Sequence, residues 1–469
     1  MKHVGRTSDE MQGRMLMQSL DASALEEQQH LYLEALPGFV QDGLISSACA
    51  EAIKPLIGLP TEDIMHLESP YDKARKAGII TEEQLIPMRQ RITKMVHSSE
   101  AKCSGTAAYS YSGPARLERT TLSTKERNEN VIRSAAGGAV SLRNVTIEKT
   151  GDTKNHIEGN FTGLNAAVLA EGGSMDISDS QIISHAIGGN NVFAHGKGSY
   201  VHLDNVLLDA YGAASNRCIY VSFGGQVDAE RCELISRGSI SSPVATDVGG
   251  GTIRLKDCLV KALGSHCAAL YSTGRIEADH CVCVAPETEG MIIVGSNSIS
   301  LRNTHVFSGQ NQGVKFASEL GESSGVFTME GGSLTAIEGP LFAVELDAEI
   351  HLHGAAVSSP SGQLLKLYQG FSPPGMEQPE PGQSLIRIKL DDQQLSGTME
   401  SDEAHTLEVV LQNGSLLTGA VSAPESTVRL SRDSRWILTG DSTIGRLENA
   451  DPEGGNVIQN GYQLNIICS

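Results

Sequence analysis

Four stretches of the chain, VHLDNVLL (201–208), VDAERCEL (227–234), IRLKDCLV (253–260) and IEADHCVC (276–283), share one pattern. Apolar residues hold positions one and three, a polar residue holds position two, and a turn former or charged residue holds position five. Working outward, the same window is found as VSLRNVTI (140–147) and MDISDSQI (175–182) before this group. After it come ISLRNTHV (299–306), FTMEGGSL (327–334) and IHLHGAAV (350–357). The fifth positions, Asn144, Asp179, Asn205, Arg231, Asp257, His280, Asn303, Gly331 and Gly354, are spaced by 35, 26, 26, 26, 23, 23, 28 and 23 residues. A near-constant period with period-2 alternation inside each unit marks a solenoid, in which one repeat cannot bury its own apolar face and must stack on the next.

Each unit carries a second short strand before the window, such as NVFAHGKG, CIYVSFGG or PVATDVGG, closed by glycine. Short strands and Gly-rich corners with no helical period predict an all-β fold, a right-handed parallel β-helix. Period 2 points Val201, Leu203, Ile253 and Leu255 inward. It points Asp176, His202, Asp228, Arg254, Glu277 and Ser300 outward, as a solvated ladder of mixed sign. Position six is cysteine in three consecutive units, Cys232, Cys258 and Cys281, which reads as small side chains stacked inside the coil. In SHCAALYSTGRIEADHCVCV (265–284) that stacking accounts for the apparent cluster of His and Cys. The chain has no CxxC pair, so no metal site and no cofactor is assigned.

The 469 residues carry a net charge of −20, only 4 % aromatic residues and 50 glycines. The acidity excludes nucleic acid as a partner and implies solubility. No apolar run reaches membrane-spanning length, and the first twenty residues show no secretory h-region. Nine cysteines without framework spacing fit a reducing compartment, so the expected location is the cytoplasm. Residues 1–102 differ in texture. ASALEEQQHLYLEAL places Leu25, Leu31, Leu33 and Leu36 at helical spacing, SPYDKARKAGI reads as a helix closed by Gly78, and Thr81-x-x-Gln84 is a capping box. This predicts a small N-terminal α-helical domain that caps the coil or joins two copies as a homo-oligomer. Residues 103–130 read as a polar connection, and 131–469 as the β-helix, with a proline-rich insertion at 370–383. Trp436 is expected to close the far end.

A second outward column runs along the other strand: Leu169, Phe193, Tyr220, Ala245, Leu270, Ile293 and Lys315. It is rimmed by Asn165, Asn190, Arg217, Asp247, His266 and Glu289. An apolar and aromatic stripe with polar rims suits a glycan or protein partner; it is also how a stripe looks when a loop packs over it. The binding candidates are therefore Asn190, Phe193, Leu270, Glu289 and Lys315. If the chain is an enzyme, Arg217, Tyr220, Asp247 and His266 are the acid–base candidates, acting on a small-molecule or carbohydrate substrate.

GLNAAVLAEGGSMDISDSQI (163–182), GVFTMEGGSLTAIEGPLFAV (325–344) and VVLQNGSLLTGAV (409–421) resemble the parallel β-helix repeat proteins of the pectin-lyase-like superfamily. The likeness is to adhesin-like and carbohydrate-associated proteins of anaerobic gut bacteria, and covers about 130–447. It implies the fold and, more loosely, carbohydrate as ligand; the fold hosts lyases, hydrolases, epimerases and plain binders alike. The chain departs from that family in having a helical N-terminal region and no secretion signal. The pectate lyase branch implies clustered acidic calcium ligands beside an Arg or Lys, and the stripe offers only Asp247 and Glu289, with Lys315 beyond them.

Overall fold

The computed structural model describes residues 22–467, apart from 58–69, 82, 86, 89–90, 92–101, 154–155, 214–215, 248, 318–323, 346, 368–383 and 402–404. The insertion expected at 370–383 thus lies outside the described residues.

The repeat folds as a parallel β-solenoid of about 13 turns. Each complete turn has a leading, a middle and a trailing strand, for example Ile219–Ser222, Gly225–Glu230 and Glu233–Ser236. Every strand pairs in parallel with its counterpart one turn away: Val201 aligns with Val227, Val227 with Ile253, and Ile253 with Ile276. The backbone hydrogen bonds therefore run along the solenoid axis, at about 4.8 Å per turn. Inward columns such as Val201–Val227–Ile253–Ile276–Ile299 are wholly buried.

The corner between middle and trailing strands explains position five of the repeat. All nine residues named for it occupy the left-handed region, from φ 46° at Asn303 to 64° at Gly331. Arg119, Asp392 and Asn413 extend the column. Asn, Asp and Gly tolerate this conformation best, which is why they recur there. Past the corner, position six turns inward and its side chain satisfies a backbone amide of the preceding turn. Val145 N–H donates to Ser180 Oγ at 3.1 Å, Cys258 N–H to Cys281 Sγ at 3.4 Å and Cys281 N–H to Thr304 Oγ1 at 3.2 Å. Each thiol in turn donates to the carbonyl two residues before it, as Cys281 does to Asp279 O at 3.3 Å. The cysteines are thus small buried polar groups with both hydrogen-bonding roles filled. Hydrogen bonding to Cys258, then burial, raises the thiols of Cys232 and Cys281 well above their ordinary value.

The segment read as a polar connection is corrected: strands Thr106–Tyr111, Pro114–Glu118 and Thr121–Thr124 form the first turn. They pair in parallel with the second turn, without a register shift. The alternation there is masked because a terminal turn is covered on one side only, so polar side chains serve at positions that are apolar elsewhere. Trp436 is fully buried in a trailing strand, and its indole N–H donates to Gly419 O at 3.0 Å.

The N-terminal region holds helices α1 (Ala22–Gln41), α2 (Ser47–Ile57) and α3 (Pro70–Lys76). Their core is their own, built on Leu36, Phe39, Ile53, Tyr71 and Leu85, whereas Leu33 is exposed. The capping box is formed: Thr81 N–H donates to Gln84 Oε1 at 2.9 Å, and Gln84 N–H to Thr81 Oγ1 at 3.3 Å. Gly78 ends its helix in left-handed backbone, φ 69°. No helix among the described residues is long and apolar enough to cross a membrane.

Candidate functional site

The outward column of the leading strands is Leu169, Phe193, Tyr220, Ala245, Tyr271, Ile292 and Lys315. Two expected members are corrected. Leu270 aligns with Val244 and Met291 and points into the core, and Ile293 likewise faces inward. Leu270 is therefore no binding residue. In the strand LYS (270–272) apolar residues occupy both parities, so alternation could not fix which one faced out.

The stripe is also not an open surface. Leu169, Phe193, Tyr220 and Ala245 are fully buried, sealed with Cys103, Leu164 and Ala166 into a second apolar cluster. The cover is the chain's own segment 156–166, which begins with helix α4 (His156–Thr162). Gly163 permits the close approach: a Cβ there would lie 2.7 Å from Leu169 and 2.8 Å from Phe193, and its φ is 76°. Ser222 Oγ–H fastens the cover by donating to Phe161 O at 2.8 Å. Phe193, packed edge-on against Tyr220 at 4.8 Å between centroids, is consequently a core residue rather than a platform for a ligand.

At the margin of this cover, three of the four acid–base candidates converge. The Tyr220 hydroxyl donates to Asp247 Oδ2. The Arg217 guanidinium lies over the Tyr220 ring, 4.3 Å from its centroid, and donates to Asn160 Oδ1 at 3.0 Å. Arg217 N–H donates to the fully buried Asn190 at 3.0 Å. Burial, then the Asp247 charge, drives the Tyr220 hydroxyl well above its ordinary pKa, so it stays a proton donor to Asp247. Arg217 and Asp247 are half-buried. His266 is not brought to this group: it is exposed on a turn in left-handed backbone, φ 56°. Glu289 accepts from the Thr288 hydroxyl at 2.5 Å, and Lys315 pairs with Glu345 at 3.0 Å.

An open concavity lies on the middle strands. A groove of about 600 Å³ runs over the turns from Arg254 to Lys389. Its centre is low because Ser300 and Thr328 are short members of a column that holds Arg254 and Glu277 on one side and His351 and Lys389 on the other. The parallel column alongside is Lys256, Asp279, Arg302, Glu330, His353 and Asp391. Ion pairs between turns hold most of these charges: Arg254 bridges Asp228 at 3.3 Å and Glu277 at 3.1 Å, and Arg302 Nε–H meets Asp279 at 3.0 Å. Among the described residues Glu330 and Lys389 have no ion-pair partner. The outward ladder was visible in the sequence; the dent was not, because depth arises from side-chain length compared across turns.

Among the described residues no three His, Cys, Asp or Glu side chains are placed to hold a metal ion. The architecture defines the class of molecule, a parallel β-solenoid with a groove on its middle-strand face lined by charged, hydroxyl and apolar residues. Comparison of the chain with protein-family models, with curated proteins and with solved structures finds no match.

Proposed function

We propose that the chain is a binding protein that holds a glycan along the middle-strand face, centred on Ser300 and Thr328. The observation that carries this reading is the groove, in which two hydroxyl side chains form the floor and Glu330 and Lys389 supply an acceptor and a donor not engaged in ion pairs. Hydroxyl-rich ligands are recognised by such closely spaced donors and acceptors. The stacked cysteines Cys232, Cys258 and Cys281 carry thiols engaged in hydrogen bonds to backbone carbonyls, which favours a reducing compartment, in keeping with the cytoplasm. Glycan-array binding followed by titration of the best ligand tests the proposal. Filling the dent with Ser300→Trp or Thr328→Trp is expected to weaken binding at least tenfold, and unchanged affinity in both would reject it.

A second reading, a lyase, isomerase or hydrolase, draws support from the convergence of Arg217, Tyr220 and Asp247. Asp247 is then the proton acceptor reached from solvent and Arg217 the charge that steadies an anionic intermediate. Turnover of a bound glycan that disappears in Asp247→Asn, with binding retained, selects this reading; turnover that persists removes it.

A further inference from the structure

We infer that the outward face of the trailing strands, over the turns from Tyr211 to Ile337, is a dimer interface on which a second copy of this chain packs face to face and antiparallel. Where the middle strands point Arg254, Glu277 and Ser300 outward, the trailing strands of the same turns point out Leu259, Val282, Val284 and Phe307. Tyr211, Leu263 and Ile337 each directly follow a trailing strand, and their amides bond to the turn before. Together with Val282 and Phe307 they are 38–44 % exposed. Parallel sheets are ordinarily covered on both faces. Residues 156–166 supply such a cover on leading strands, and a charged ladder suits the middle strands to water. A contiguous apolar face like that of the trailing strands marks an interaction site.

The size of the face suits a dimer. Three outward columns about 7 Å apart, over six turns stacked at about 4.8 Å, give roughly 600 Å² per copy. Two copies then bury about 1,200 Å² in total, the lower bound of a standard stable interface. The sheets would pack about 10 Å apart, as in a β-sandwich.

Self-complementarity selects a second copy and sets its direction. With a two-fold axis along the strands, between the turns of Leu259 and Val282, the turns of one copy meet those of the other in reverse order. Leu259 then opposes Val282, Leu263 opposes Pro286 and Tyr211 opposes Ile337, while Glu233 meets the His305 ring. Charges at the contact are already matched within each chain, Lys261 with Glu233 and Arg237 with Asp209, both at 2.8 Å. Antiparallel packing therefore buries no unpaired charge. Parallel packing instead sets Lys261 against Lys261 and Asp209 against Asp209 on the axis. The antiparallel contact is isologous, so it closes at two copies.

Sedimentation velocity of the full chain, from low to high micromolar, tests this inference. The expected result is a reversible equilibrium between monomer and dimer that grows no further. Val282→Asp and Leu259→Lys are each expected to lower the association constant at least tenfold. Mixing the two variants in equal amounts is expected to restore a dimer, because the new ammonium of one copy meets the new carboxylate of the other. Circular dichroism checks that each variant keeps the β fold. Phe307→Asp, which like Val282→Asp alters a side chain already exposed, repeats the expected loss at a second position. A monomer at every concentration overturns the inference, as does a dimer that neither Val282→Asp nor Phe307→Asp weakens. Mixing that restores nothing overturns the antiparallel register, and the inference with it.

Discussion

His280 holds φ 52° at a corner where most other turns place Asn, Asp or Gly, and its ring pairs with Asp279 at 2.7 Å. The backbone conformation, more than imidazole chemistry, governs what is tolerated there. His280→Val is expected to destabilise the fold by about 1–2 kcal/mol, the cost of left-handed backbone for a β-branched residue, whereas His280→Asn stays within about 0.5 kcal/mol; urea unfolding separates the two. Cys281 shows the same logic inside the coil. Cys281→Ser keeps an acceptor for Cys258 N–H, and Cys281→Val leaves that amide unpaired at a cost of about 1–3 kcal/mol. Outside, Arg302 and His280 hold the Asp279 carboxyl below its usual range, as Asn205 and Arg143 do for Asp179 and Lys256 does for Glu230. A carboxylate with a depressed folded pKa stabilises above its unfolded value, and that contribution is lost as pH falls through the folded pKa. Thermal melts should therefore be flat near neutrality and decline once pH drops below about 4, with Arg302→Gln reducing the decline.

At the scale of the strand and the corner, close stacking sets the tolerances. A Cβ on Gly238 would lie 1.9 Å from Gly212 O, and one on Gly264 equally close to Gly238 O. Gly238→Ala must push two turns apart and is expected to cost about 3 kcal/mol, read as a lowered denaturant midpoint. Much of this architecture was legible in the chain. The spacing of Asn144 through Gly354 located the corner column, and alternation placed Val201, Leu203 and the three stacked cysteines inside. Two kinds of information were not. Parity failed at Leu270 because Tyr271 beside it is also apolar, and the first turn was hidden because a half-covered turn needs fewer apolar residues. The burial of Phe193 and Tyr220 beneath residues 156–166 was illegible for a further reason. It depends on a segment between two repeats folding back over turns that come later in the chain. Arg217, Tyr220 and Asp247 were found as neighbours of that stripe, while the dent at Ser300 and Thr328 had no local signature.

For the whole molecule, each turn contacts chiefly the turns on either side, so stability is a sum over turns and their shared faces. Removing residues 281–303 joins His280 to Thr304 and deletes one complete 23-residue period between equivalent corners. The shortened chain is expected to fold into a solenoid one turn, about 4.8 Å, shorter. Circular dichroism and small-angle scattering measure this, and an unfolded product would show that the turns are not interchangeable. The parallel register described for Val201, Val227 and Ile253 also fixes how the molecule answers force. Its hydrogen bonds lie along the long axis, so tension applied at the two ends opens one face at a time instead of shearing many bonds together. Each turn of 23–26 residues that detaches releases about 80 Å of extended chain. Under load the protein behaves as a spooled tether, giving out measured lengths while the turns still wound remain intact.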